Sequence, residues 1–128
     1  MIKKGFTLLE MLVVIGIIAI LVSMGFASYS TVQKKARDAK RQGDLKAAQQ
    51  VMEQCYSVNS FAYPTISGSP GTITATCPAP NTSITFTLTD PLNTGTYQYT
   101  VSTTTTTAYT ITADTETSTT DFSVSNQQ

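Results

Sequence analysis

Apolar residues fill almost every position from Phe6 to about Tyr29, with no proline and with Gly16 and Gly25 as the only glycines of the run. About 24 residues at ~1.5 Å rise make a helix of ~36 Å, enough to cross a hydrocarbon layer of ~30 Å. Beyond it, apolar positions recur at helical spacing: Val32, Ala36 and Ala39, then Leu45, Ala48, Met52 and Cys55 or Tyr56. The pattern predicts one helix whose second half meets a different solvent. Lys34, Lys35, Arg37, Asp38, Lys40, Arg41, Asp44, Lys46 and Glu53 crowd the remaining positions as its polar face. The stretch SVNSFAYP ends it, because Ser57, Asn59 and Ser60 are turn formers and Pro64 pushes the preceding residue out of helical geometry.

After Pro64 the period falls to two and threonine dominates. Ile84, Phe86 and Leu88 share one face of SITFTLT, Tyr97, Tyr99 and Val101 one face of YQYTV, and Tyr109 and Ile111 one face of AYTITA. Phe122 with Val124 adds a short last strand. Asp90-Pro91 and Asn93-Thr94-Gly95 supply turn chemistry between the first two of these strands, and Thr103 to Thr107 forms the next tip. The expected fold is α+β: a long N-terminal helix packed through its Leu45 to Tyr56 stripe on a small antiparallel sheet of three to four strands.

Charge sharpens this picture. The formal net charge of the 128 residues is +0, yet every basic residue lies at or before Lys46, and beyond Glu53 only Asp90, Asp114, Glu116 and Asp121 are charged. Histidine is absent, no carboxylates are paired in a common frame, and no glycine-rich phosphate loop occurs, so neither an enzyme nor a cofactor or metal site is expected. The loosely spaced Asp114, Glu116 and Asp121 read as solvated loop acids rather than a calcium site. Cys55 and Cys77 read as one disulfide of an exported domain, with two buried thiols as the alternative. Asn81-Thr82-Ser83 fits the N-glycosylation acceptor pattern, and the threonine run could carry O-linked sugars; turn chemistry accounts for both.

Glu10 stands inside the apolar run, where a carboxylate costs roughly 2.5–3.5 kcal/mol on insertion scales. Together with the basic pair and glycine before it, KKGFTLLEMLVVIGIIAIL resembles the class III signal of type IV pilins and type II secretion pseudopilins. The resemblance implies cleavage between Gly5 and Phe6 by a prepilin peptidase and methylation of Phe6. It also places Glu10 at the family's N-terminal glutamate, where it would pair with the Phe6 amine of a neighbouring subunit and set the register of a filament. The implied organisation is a leader at 1–5, a membrane or filament-core helix at 6–29, its amphipathic half at 30–56, and a loop plus sheet at 57–128. Pilins usually carry a proline about two-thirds along the apolar helix; this chain has Ala27 there.

The implied partners are like subunits in a homo-oligomeric filament, the prepilin peptidase, the inner-membrane assembly machinery and the membrane itself. The precursor would sit in the inner membrane and the mature chain in an extracytoplasmic or surface filament. Pilus and pseudopilus are not separated by these residues. A signal-peptide-secreted β-domain, disfavoured by the length of the apolar run and by Glu10, is one alternative, and a single-span-anchored β-domain is another. A DNA-uptake filament binding nucleic acid through the basic helix is a further one. Nucleic acid is not the expected partner, because Asp38 and Asp44 interrupt the basic stretch and a solvated face or inter-subunit ion pairs explain it.

Overall fold

The computed structural model describes residues 5–128, so the basic pair Lys3 and Lys4 lies outside the described residues. Helix α1 spans Leu8–Val58, and strands follow at Ile66–Ser67 (β1), Ile73–Thr76 (β2), Thr85–Leu88 (β3), Tyr99–Thr104 (β4), Tyr109–Ala113 (β5) and Phe122–Ser125 (β6). The chain divides into two units between Lys34 and Lys35.

In the first unit an 18-residue window of α1 reaches a mean hydropathy of 2.6 and none of it is buried. It is long and apolar enough to cross a membrane. Leu12, Ile15, Ile18 and Leu21 all present their side chains outward.

In the second unit α1 buries the expected stripe: Leu45, Ala48, Met52 and Cys55 are completely enclosed. Removing Leu45 and Met52 from water contributes ~1.5–3 kcal/mol for each side chain. Against the stripe stand Ile66, Ile73, Ala75, Phe86, Leu88, Tyr99, Tyr109, Ile111, Ala113 and Val124. The α+β class is as expected, but the strands form two antiparallel three-stranded sheets, β1-β2-β3 and β4-β5-β6, rather than one sheet. Alternation places Phe86 and Leu88 inside on β3 and Tyr109, Ile111 and Ala113 inside on β5.

The extra pair, β1 with β2, turns at Gly68-Ser69-Pro70-Gly71. Gly68 sits at φ +88 with the carbonyl of Thr72 where a Cβ would go, so no other residue fits. The stretch from Asp90 to Gln98 carries the chain from one sheet to the other instead of closing a hairpin, and Tyr97, expected in a strand, lies in its turn. On the outer face of β2 and β3, threonine hydroxyls pair across the sheet at Thr72–Thr89 (2.9 Å), Thr74–Thr87 (3.3 Å) and Thr76–Thr85 (2.9 Å). The β4–β5 tip is held by Thr105, whose hydroxyl accepts from the Ala108 amide at 2.9 Å.

Candidate functional site

Thr7 precedes the first residue of α1, and Glu10 is its third. The Thr7 amide and hydroxyl donate to Glu10 Oε2 at 2.9 and 2.8 Å, and the Glu10 amide donates back to Thr7 Oγ1 at 3.2 Å. This is a capping box, which satisfies helix-start donors that have no partner within the helix. Its signature, Thr7-x-x-Glu10, stands in the sequence beside the role that resemblance implies for Glu10. Glu10 Oε1 has no hydrogen bond among the described residues, so one oxygen stays available to a further donor.

In the second unit the basic helix is only in part the solvated face that its composition suggested: Lys35, Lys40 and Lys46 are exposed, but Arg37 and Arg41 turn to partners in the head. Arg41 is fully buried, in line with Asp38, Leu45, Ala48 and Met52 on the inward side of α1. Its Nε and Nη2 reach Asp90 Oδ2 and Oδ1 at 2.6 and 2.9 Å, and its Nη1 reaches Asp38 at 2.7 Å and Glu116 at 2.8 Å. Arg37 forks onto the same Glu116 at 2.7 and 2.6 Å. The ring of Tyr97 lies 5.2 Å from the guanidinium carbon of Arg41. Three carboxylates thus face two guanidinium groups, tying α1 to the β3–β4 and β5–β6 connections.

These carboxylates are well partnered. Burial alone would raise Asp38 and Asp90, but donors outweigh it and hold both below the ordinary carboxylate range. For Asp38 the donors are the Glu116 and Thr117 amides, the Thr117 hydroxyl and Arg41. For Asp90 they are Arg41 and the Leu92 and Asn93 amides. Arg37, with Arg41, likewise depresses Glu116, which is therefore no solvated loop acid. Asp90 serves its turn, as expected, and binds Arg41 as well.

Cys55 and Cys77 form the expected disulfide, with S–S 2.03 Å and Cα atoms 5.6 Å apart. Beside it Tyr56 stacks on Tyr63 at 4.5 Å between ring centroids, and Tyr63 meets Tyr109 edge-on at 4.9 Å. The hydroxyls of Tyr63 and Tyr109 donate to Glu53 at 2.9 and 3.2 Å. Burial and that carboxylate push both phenols well above their ordinary value. Among the described residues no group of side chains is arranged to hold a metal ion.

Residues 1–26 match the prokaryotic N-terminal methylation motif, and residues 27–123 match the family described as type IV minor pilin ComP, DNA uptake sequence receptor. The chain belongs to the ComP family of type IV minor pilins. This upholds the resemblance to pilins; the family matched is one of pilins rather than of secretion pseudopilins. ComP pilins are structural proteins, and their description names DNA, which runs against the expectation that nucleic acid is not a partner. Neither a curated protein nor a solved structure gives a significant match.

Proposed function

We propose that the chain is a minor subunit of a type IV pilus and acts as a DNA receptor during uptake. One observation carries this reading: the same chain joins an N-terminal methylation motif to a head matched over residues 27–123 by a DNA uptake receptor family. In it, the prepilin peptidase cuts after Gly5, Phe6 becomes the methylated N-terminus, and the precursor waits in the inner membrane before entering a surface filament.

Assembly rests on Glu10. An unpartnered carboxylate in an apolar bundle is costly, and the penalty falls when the Phe6 amine of an adjoining subunit docks against it. Oε1, without a hydrogen bond among the described residues, supports that role, since the capping box occupies Oε2.

Phosphate binding needs cations. Arg37 and Arg41 are committed to Glu116, Asp38 and Asp90, so along the head and its approach Lys34, Lys35, Lys40 and Lys46 remain, all exposed and all on α1. The test compares cells lacking the chain with cells in which it is restored, following surface pili and the entry of fluorescent duplex DNA. A minor receptor subunit leaves pili in place and abolishes uptake. Undiminished uptake without the chain would overturn the receptor reading.

A further inference from the structure

We propose that duplex DNA is read by one flank of α1, carrying Lys35, Gln42, Lys46 and Gln50, together with Gln127; the inference rests on the receptor reading above. Successive spacings of seven, four and four residues bring these helix positions onto one side of α1. All four are exposed, whereas Asp38, Arg41, Leu45, Ala48 and Met52 hold the inward side. Ala39, also exposed, adds little bulk between Lys35 and Gln42.

The end of this flank opens into a groove of about 440 Å³ lined by Lys46, Gln49, Gln50, Glu53 and Gln127. Its chemistry suits base edges. A carboxamide presents a donor and an acceptor side by side, the pattern that matches N6 and N7 of adenine, while a lysine meets phosphate or the O6 and N7 of guanine. Gln49 is fixed by its donation to the Ser125 carbonyl at 2.8 Å. The carboxamides of Gln50 and Gln127 make no hydrogen bond among the described residues and stay open to a ligand. Glu53, the one acid of the groove, is engaged by the hydroxyls of Tyr63 and Tyr109 and by the Gln127 amide at 3.2 Å.

Charge excludes the rest of the head as the docking face. No basic residue follows Lys46, and the connections after β3 and β5 carry only acids. A polyanion is thereby directed to α1. With so few cations, phosphate contacts alone would hold DNA weakly, so discrimination has to come from groups that meet the bases.

The test measures binding of labelled duplex to the full-length chain in detergent by fluorescence anisotropy. It uses a random-sequence duplex and duplexes enriched from a random library by selection on the same chain. The unaltered chain is expected to prefer the selected duplexes. Gln50→Ala and Gln127→Ala should each lower affinity for them about five- to hundred-fold, with little change for the random duplex. Lys46→Ala should weaken binding to both and reduce the salt slope by about 1. Unchanged thermal unfolding shows that the variants fold. If the unaltered chain binds and selects DNA but these variants match it, the placement on α1 is overturned and the receptor reading survives. If the unaltered chain binds no duplex, the receptor reading falls and takes this inference with it.

Discussion

Arg41 and Asp90 meet side to side, two parallel hydrogen bonds of 2.6 and 2.9 Å joining a helix to a loop 49 residues away, with neither side chain exposed. Removing one member of such a pair strands the other charge out of water, at a cost of about 3–5 kcal/mol. Arg41→Ala, which strands Asp90, is expected to destabilise the head by that order, and Asp90→Ala by less, because Arg41 keeps Asp38 and Glu116. The double variant should lose less than the sum, because the stranding is shared. Chemical denaturation of the four proteins completes the cycle; strict additivity would show that the two side chains act independently.

Acid should loosen the same region. Asp38, Asp90 and Glu116 are held below their ordinary values of 3.8 and 4.5, so the unfolded chain binds more protons than the folded one in that window. Their contribution is fully present above about pH 4.5 and is lost as the pH falls through the depressed folded values. Asp114, raised by burial and by Asp121, acts with the opposite sign. Melting temperature should fall on acidification below about pH 4.5, and Asp38→Asn should flatten that fall. A melting temperature constant down to pH 3 would contradict the linkage.

The disulfide closes a loop with a sequence separation of 22, worth about 3 kcal/mol in the chain-entropy account. Reduction, or Cys55→Ala with Cys77→Ala, should lower stability by that order. Thermal unfolding with and without reductant, checked by intact mass, measures it.

The capping contacts of Glu10 and its proposed part in assembly separate by substitution. Glu10→Gln keeps hydrogen-bonding atoms for the capping box and removes the charge, whereas Thr7→Ala removes the cap, at ~1 kcal/mol, and keeps the charge. Glu10→Gln is expected to insert and be cleaved normally but to assemble poorly; Thr7→Ala should assemble. Sheared surface filaments, scored beside cleavage and membrane content, give the answer. Normal filaments from Glu10→Gln would leave helix capping as the role of that side chain.

Processing is expected after Gly5. Replacing Gly5 with a bulky residue should leave uncut precursor in the membrane, and N-terminal sequencing of the mature chain should begin at Phe6. A mature chain beginning near Ser28 would point instead to ordinary signal peptidase.

Period carried much of the fold. Leu45, Ala48, Met52 and Cys55 repeat every three or four residues, and Phe86, Leu88, Tyr109 and Ile111 alternate, so burial follows the pattern directly. The β1–β2 pair was hidden because Gly and Pro interrupt the alternation between Ile66 and Ile73, leaving runs too short to stand out. Arg41 is a different failure. A charged side chain is interior only if partners come to meet it, and two of its three arrive from 49 and 75 residues away. The inward register was visible all the same, since Asp38 and Arg41 continue the Leu45 stripe. The free carboxamides of the candidate DNA flank carry no such signal, because a glutamine on a helix surface reads as ordinary solvation until a groove gathers it.

The threonine rungs of β2 and β3 have a consequence for how the head responds to its surroundings. A rung of two hydroxyls neither gains nor loses a proton near neutrality and offers salt nothing to screen. Acid strong enough to protonate the partners of Arg41 would therefore slacken the connections after β3 and β5 while the seam between β2 and β3 stayed closed. The head would yield first at the connections that hold Arg41, and the threonine seam would let go later.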